Sequence, residues 1–356
     1  MGAAVNTHRI RSISVRFSGL AFAAGLALTP APSLADAGGV SFWIPGLFGS
    51  LAAVPQAPGW SAAMIYYHTS VDASGGVAAS RQAEIGRFRP TVNVSLNATL
   101  DARADIGFFA PSYTFETPVF GGRLSVGVLA AYGRSSASVD GTLTAAINNL
   151  AVTRQGHLSD SVDGFGDLAP KVSLAWNAGV HNYMIYATGD IPVGAYDPQR
   201  LANLGIGHGA IDGGFGYTYF DPTKGHEFSA VAGFTYNFKN PDTDTRNGVD
   251  FHLDWAASQW LSKQFFVGVV GYAYQQLTAD SGQPAILGPF KSRVFGIGPQ
   301  IGYVFPANGM QGFLGVKSYF EFESENRPEG WNAWLTLAFT PPEKPATAAT
   351  HPMVRK

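Results

Sequence analysis

Asp250, His252, Asp254 and Ser258 occupy same-phase positions of one short stretch, DFHLDWAAS. Carboxylate, imidazole and hydroxyl are the groups of a hydrolytic triad, but alternate residues of a strand stand ~6.6 Å apart and a triad needs contacts of ~3 Å. The stretch is therefore expected to present a hydrated polar face. No catalytic residue is assigned and no enzyme is expected. His252 with its flanking carboxylates lacks a third ligand for a metal such as zinc. Asp242, Asp244 and Asp250, with Asn240 and Asn247, carry the oxygens that calcium loops use. They are equally the residues that build turns, so no metal is assigned. Gly205-Ile206-Gly207 and Gly296-Ile297-Gly298 lack both the six-residue nucleotide fingerprint and a following helix, so no nucleotide cofactor is expected. The chain has no cysteine, which removes disulfides, thiol chemistry and thiolate metal sites.

The remaining candidates are charges that share a phase with polar neighbours: Lys171, Glu227, His252, Asp254, Lys317, Glu321 and Glu323. Two roles are open to them. Opposite signs on neighbouring strands brace a polar wall, and the same groups can meet a solute passing along it. A net charge of −2 and the absence of a Lys/Arg cluster argue against a nucleic-acid partner.

These side chains are positioned by elements with a period of two. From Val92 to Ala110 the even positions are apolar (Val92, Val94, Leu96, Ala98, Leu100, Ala102, Ala104, Ile106, Phe108, Ala110), and the odd positions include Asn93, Ser95, Asn97, Thr99, Asp101, Arg103 and Asp105. That is a strand of ~60 Å with two unlike faces. Lipid is the expected cover for its apolar face, because a membrane β-barrel turns alternate residues to acyl chains and to water. The same alternation sets Phe228, Phe234 and Tyr236 against Glu227, Ser229 and Thr235, and Val249, Phe251 and Leu253 against Asp250, His252 and Asp254. Short turns at 177–180, 221–225, 261–263 and 306–309 alternate with longer loops at 191–210, 240–248, 279–289 and 324–330, the asymmetry of outer-membrane barrels.

The expected fold is all-β, a transmembrane antiparallel up-and-down barrel of about 12 strands over residues 59–340. Reading Asp101-Ala102-Arg103 as a turn would raise the count to thirteen or fourteen; unbroken phase favours one strand. The second and third strands are long enough to project above the membrane. Residues 1–37 read as a signal peptide, with a cationic start, an apolar centre of ~12 residues and the Ala35-Asp36-Ala37 site. Residues 38–58 carry three prolines and no alternation, so they lie outside the wall. Phe42, Trp43, Ile44, Leu47 and Phe48 make them an apolar plug for the barrel mouth, the other reading being a periplasmic leader. Residues 341–356 form a Pro/Ala/Thr tail with a disordered composition.

The segments GVSFWIPGLFGSLAAVP (39–55), DGFGDLAPKVSLAW (163–176), YDPQRLANLGIG (196–207), NPDTDTRNG (240–248), FHLDWAASQWLS (251–262), VGYAYQQLTADSG (270–282), FGIGPQIGY (295–303) and EFESENRPEG (321–330) resemble the outer-membrane barrel family associated with the meta-pathway of phenol degradation. The resemblance implies a relative of channels for hydrophobic compounds in the bacterial outer membrane, working without a cofactor. Its implied partners are membrane lipids, a small hydrophobic or aromatic solute and the outer-membrane assembly machinery. That machinery would read a last strand carrying Trp331, Leu335, Leu337 and Phe339 outward. The expected function is passive uptake of such solutes. An outer-membrane enzyme or a closed structural barrel stands as the alternative.

Overall fold

The structure, a computed structural model, describes residues 41–75, 94–147, 150–282 and 291–342. The proposed signal peptide, residues 38–40, the first two residues of the long ribbon, most of the 279–289 loop and the tail beyond 342 lie outside the described residues. Barrel strands are β1 (Gly59–Ser74), β2 (Val94–Thr114), β3 (Arg123–Ile147), β4 (Leu150–Ala178), β5 (His181–Asp190), β6 (Ala210–Asp221) and β7 (His226–Asn237). A two-residue β8 (Thr245–Arg246) precedes β9 (Asp250–Trp260) and β10 (Phe265–Gln276). Then come a second short pair-maker, β11 (Ser281–Gly282), and β12 (Arg293–Ala307), β13 (Met310–Glu325) and β14 (Glu329–Thr340). Twelve of these close into one antiparallel barrel, each pairing with its neighbours in the chain and β1 sealing against β14, while β8 pairs with β11 among the loops. Asp101 to Arg103 sit mid-strand, paired on one side with Asp72 to Ser70 and on the other with Ser138 to Ser136.

The barrel is lopsided. β2, β3 and β4 run 21, 25 and 29 residues, whereas β5, β6, β7, β9 and β10 run 10 to 12. The three long strands rise well above the loops joining the others. β4 is more than twice the 166–177 expected from sequence, and the reason is a bulge. Ala130 pairs with Leu168 and Tyr132 with Phe165, so β4 carries one extra residue there. Below it Asp167, Ala169 and Lys171 face inward; above it buried Val162 and half-buried Asp160 do, with His157, Ser159 and Asp163 exposed. The phase slips by one, which hides the upper half from a search for unbroken alternation.

The faces of the long ribbon are the reverse of the lipid-covered arrangement expected. Leu100, Ala102, Ala104, Ile106 and Phe108 line the lumen, while Asp101, Arg103 and Asp105 are exposed on the outside. Position along the barrel axis explains it. On β1 the outward residues Trp60, Met64 and Tyr66 give way to His68, Ser70 and Asp72 toward the long-loop rim. Their partners on β2 are Tyr113, Phe109 and Gly107, followed by Asp105, Arg103 and Asp101. Acyl chains therefore meet only the lower part of these strands, and water bathes the outer face above it. Up there the apolar phase is covered from inside. Ala98, Leu100 and Val139 pack with Leu201, which belongs to the loop between β5 and β6. Elsewhere the outward phases are as expected, with Phe228, Phe234, Tyr236, Leu314, Val316, Phe320 and Leu335 among the exposed apolar residues.

Candidate functional site: a plugged lumen

Residues 41–58 run inside the barrel without strand structure, turning at Leu47 N–H to Ile44 C=O (3.2 Å) and at Val54 N–H to Leu51 C=O (3.1 Å). Gly46 holds φ +86°, and a Cβ there would stand 2.8 Å from the Tyr319 ring, so only glycine fits. Free main-chain groups inside a barrel need partners, and the inward charges supply them. Asp254 accepts the amides of Gly46 (2.8 Å) and Phe48 (3.0 Å). From β13, three strands along the ring from β9, Lys317 Nζ donates to the carbonyls of Gly46 and Phe48. Glu227 accepts the Ser50 hydroxyl (2.8 Å) and the Leu51 amide (3.0 Å), and Thr218 Oγ1 accepts the Ala53 amide (3.1 Å).

His252 is engaged differently. Its ring stacks on Trp43 with centroids 3.6 Å apart, and its Nε2 lies 2.8 Å from Asp212 Oδ2, which also accepts the Thr235 hydroxyl. The Ser258 hydroxyl instead contacts Ser50 Oγ and accepts from Gln300 Nε2. Six residues of strand place it ~20 Å from His252, so the serine, imidazole and carboxylates form no triad. Lys171 lies over the Phe48 ring, 4.4 Å from its centroid. Glu321 accepts the Tyr272 hydroxyl (2.7 Å) and the Gly330 amide (2.9 Å) at the upper wall. Glu323 departs from the expected lumen set. A positive φ of 55° turns the chain at this residue, leaving its side chain 71% exposed beside Arg293. In the 240–248 loop, Asn240 Oδ1 accepts the amides of Asp242 and Thr243, which is turn chemistry, and Asp242 and Asp244 face solvent while Asp250 is buried in the lumen. Among the described residues no cluster of three His, Asp or Glu side chains could hold a metal.

The lumen thus has two walls of opposite character. On β6, β7 and β9 the buried inward residues are mostly polar, Asp212, Thr218, Glu227, Ser229, Thr235, Asp250, His252 and Asp254, with Ala210, Val231 and Ala256 among them. The plug leans on this wall. Between the plug and β1 to β5 a cavity of about 610 Å³ remains, lined by Ile65, Val71, Ile106, Phe108, Leu129 and Ala131 on the wall and by Phe42, Trp43, Ile44, Leu47 and Phe48 on the plug. Membrane barrels ordinarily keep the interior polar, whereas this half is largely apolar, interrupted by groups such as Ser125, Asp167, Lys171 and Thr188.

A second segment lines the cavity from the long-loop rim. Residues 191–209 fold inward, held by two carboxylates of β4 that lie outside the expected set of lumen charges, although alternation already turns Asp167 inward. Asp160 pairs with Arg200 (2.8 and 3.1 Å), and Asp167 at the bulge accepts the amides of Gly194 (2.7 Å) and Ile206 (2.8 Å). The conspicuous signal was a glycine at each docking point, since Gly194 and Gly205 both approach Asp167 closely.

The family model described as putative MetA-pathway of phenol degradation matches residues 70–337. The chain belongs to that family. The same barrel fold is seen in an outer membrane channel from Pseudomonas putida F1, which aligns with a TM-score of 0.57 at 12% identity over 83% of this chain and 98% of that one. A FadL homologue from Pseudomonas aeruginosa aligns at 0.40 and 10% identity over 88% and 98% of the two chains, and the transport unit of the Escherichia coli autotransporter AIDA-I at 0.37 and 8% over 83% and 94%. No curated protein matches the sequence. The family member is a β-barrel of the bacterial outer membrane in contact with lipid, so its short-turn rim faces the periplasm and its long-loop rim faces outward.

Proposed function

We propose that the protein is a passive outer-membrane channel for small hydrophobic or aromatic compounds, with residues 38–58 as its gate. The observation that carries this reading is the cavity of about 610 Å³ between a largely apolar half-wall and the aromatic face of the plug. Pockets for small ligands run ~300–1,000 Å³ and are mostly apolar with a few placed polar groups, and this one fits both descriptions. Burying apolar solute surface contributes about 25 cal/mol per Å², which draws such a solute from water without any energy source. The family's association with phenol degradation agrees with an aromatic substrate. The assembly machinery is the further partner, engaging β14 with Trp331 and Leu335 outward.

The test is solute flux across vesicles with a lipopolysaccharide outer leaflet, using benzyl alcohol as a neutral aromatic probe. Intact protein is expected to raise flux above protein-free vesicles, and deletion of residues 38–58 to raise it further while the barrel stays folded. Flux equal to the protein-free control would favour a closed structural barrel, and equal flux with and without the plug would remove the gate.

A further inference from the structure

Resting on the transport reading, we infer that the cavity takes amphiphiles with one negative charge, such as aromatic carboxylates, and that Lys171 is their head-group site. The other charged groups at the cavity's edge are largely committed to the protein. Asp167 holds the amides of Gly194 and Ile206, Arg200 holds Asp160, Glu321 holds Tyr272 and Gly330, and Arg327 lies over the Tyr274 ring, 4.9 Å from its centroid. Lys171 lines the same cavity and, among the described residues, meets aromatic faces alone, Nζ lying 4.4 Å from the Phe48 centroid and 6.0 Å from that of Tyr186. Rings satisfy an ammonium's charge in part, but they accept none of its three N–H bonds as an oxygen does. Asp190, two residues beyond the Thr188 that pairs with Lys171, makes no ion pair with it among the described residues.

A half-buried cation beside apolar space is costly unless a partner arrives. The partner's charge follows from the surroundings. One ammonium neutralises one carboxylate; a dianion would leave excess charge in an apolar cavity that already holds Asp167 and Asp190 nearby. The partner's body follows as well, since Leu129, Ala131, Ile106 and Phe108 line the rest of the space. A bound head group would touch Phe48 through the shared lysine, so recognition takes place against the gate itself.

Equilibrium dialysis of benzoate and benzyl alcohol into lipid nanodiscs holding the full chain tests this. The two probes share a ring and differ chiefly in charge. Wild-type protein should bind benzoate roughly ten- to hundredfold tighter than benzyl alcohol, the size of a charge-assisted hydrogen bond. Lys171→Met, which keeps the stem against Phe48, should bring the two probes level by weakening benzoate alone, and Lys171→Arg should preserve the preference. Equal binding in the wild type, or a benzoate preference that survives in Lys171→Met, would overturn the assignment. A variant that raises benzyl alcohol flux and leaves the benzoate preference intact would show that Lys171 merely pins the plug. Because binding is measured without flux, a protein that binds benzoate selectively but passes no benzyl alcohol would sink the transport reading and leave this one standing.

Discussion

Asp254 and Lys317 grip the same turn of chain from opposite sides, the carboxylate on the amides of Gly46 and Phe48 and the ammonium on the carbonyls of those residues. Removing either leaves buried main-chain groups without partners, at a cost of ~1–3 kcal/mol per group. Asp254→Ala is therefore expected to free the plug and produce larger, noisier single-channel conductance in planar bilayers. Lys317→Met should do the same, and the double variant should fall short of the sum, because both act on one segment. Additive effects would show that the two residues hold separate structures. A different residue governs the outer loop. Burial holds His208 below its ordinary value of 6.5, and Asp167 nearby opposes that shift. The closed loop thus binds fewer protons than the open one, so closure is at full strength above pH 6.5 and weakens as pH falls from there toward the depressed value. Amide exchange of residues 191–209 should speed up between pH 7 and pH 5 after correction for intrinsic rates, and His208→Phe should flatten that dependence. At this scale the sequence was half legible. The phase of β7 and β9 placed Glu227, His252 and Asp254 on the lumen side, but nothing local announced that their partners lie some 180 to 210 positions earlier in the chain.

The long strands and the inward loop are one device at the level of elements. The bulge at Gly166 and Asp167 tips a carboxylate into the lumen, and the loop between β5 and β6 docks there through backbone that has no room for a side chain. A Cβ at Gly194 would stand 2.6 Å from the carbonyl carbon of Gly166. Gly194→Val should undock the loop, seen as faster exchange at Gly194 and Ile206 and as higher conductance, with the barrel's heat stability unchanged. Conductance at the wild-type level would mean that the loop is no constriction. The alternation that made β2 so conspicuous in the sequence reported a two-faced strand correctly. It could not say which medium touched which face, because a strand alternates identically whether its apolar side meets lipid or a greasy interior. The upper half of β4 was illegible for another reason: polar residues on both faces, and a phase slip at the bulge.

For the whole molecule, the outer surface divides by height rather than by strand. Phe109, 52% exposed, pairs with Met64 between the Trp60 and Tyr66 levels, whereas Ser136 on β3 faces outward well above that zone beside Arg103. Phe109→Arg should cost roughly 2–4 kcal/mol of folding free energy in lipid vesicles, and Ser136→Arg about 0–1. Similar costs for the two would place the bilayer elsewhere on the barrel. The plug, finally, is joined to the wall where residue 58 meets Gly59 at the periplasmic rim, directly before the strand that seals the ring against β14. A stopper on so short a leash stays at high effective concentration. If it opens as proposed, its return would be a first-order event, indifferent to how many copies the membrane holds, and a soluble competitor would have to outpace a rival that never diffuses away.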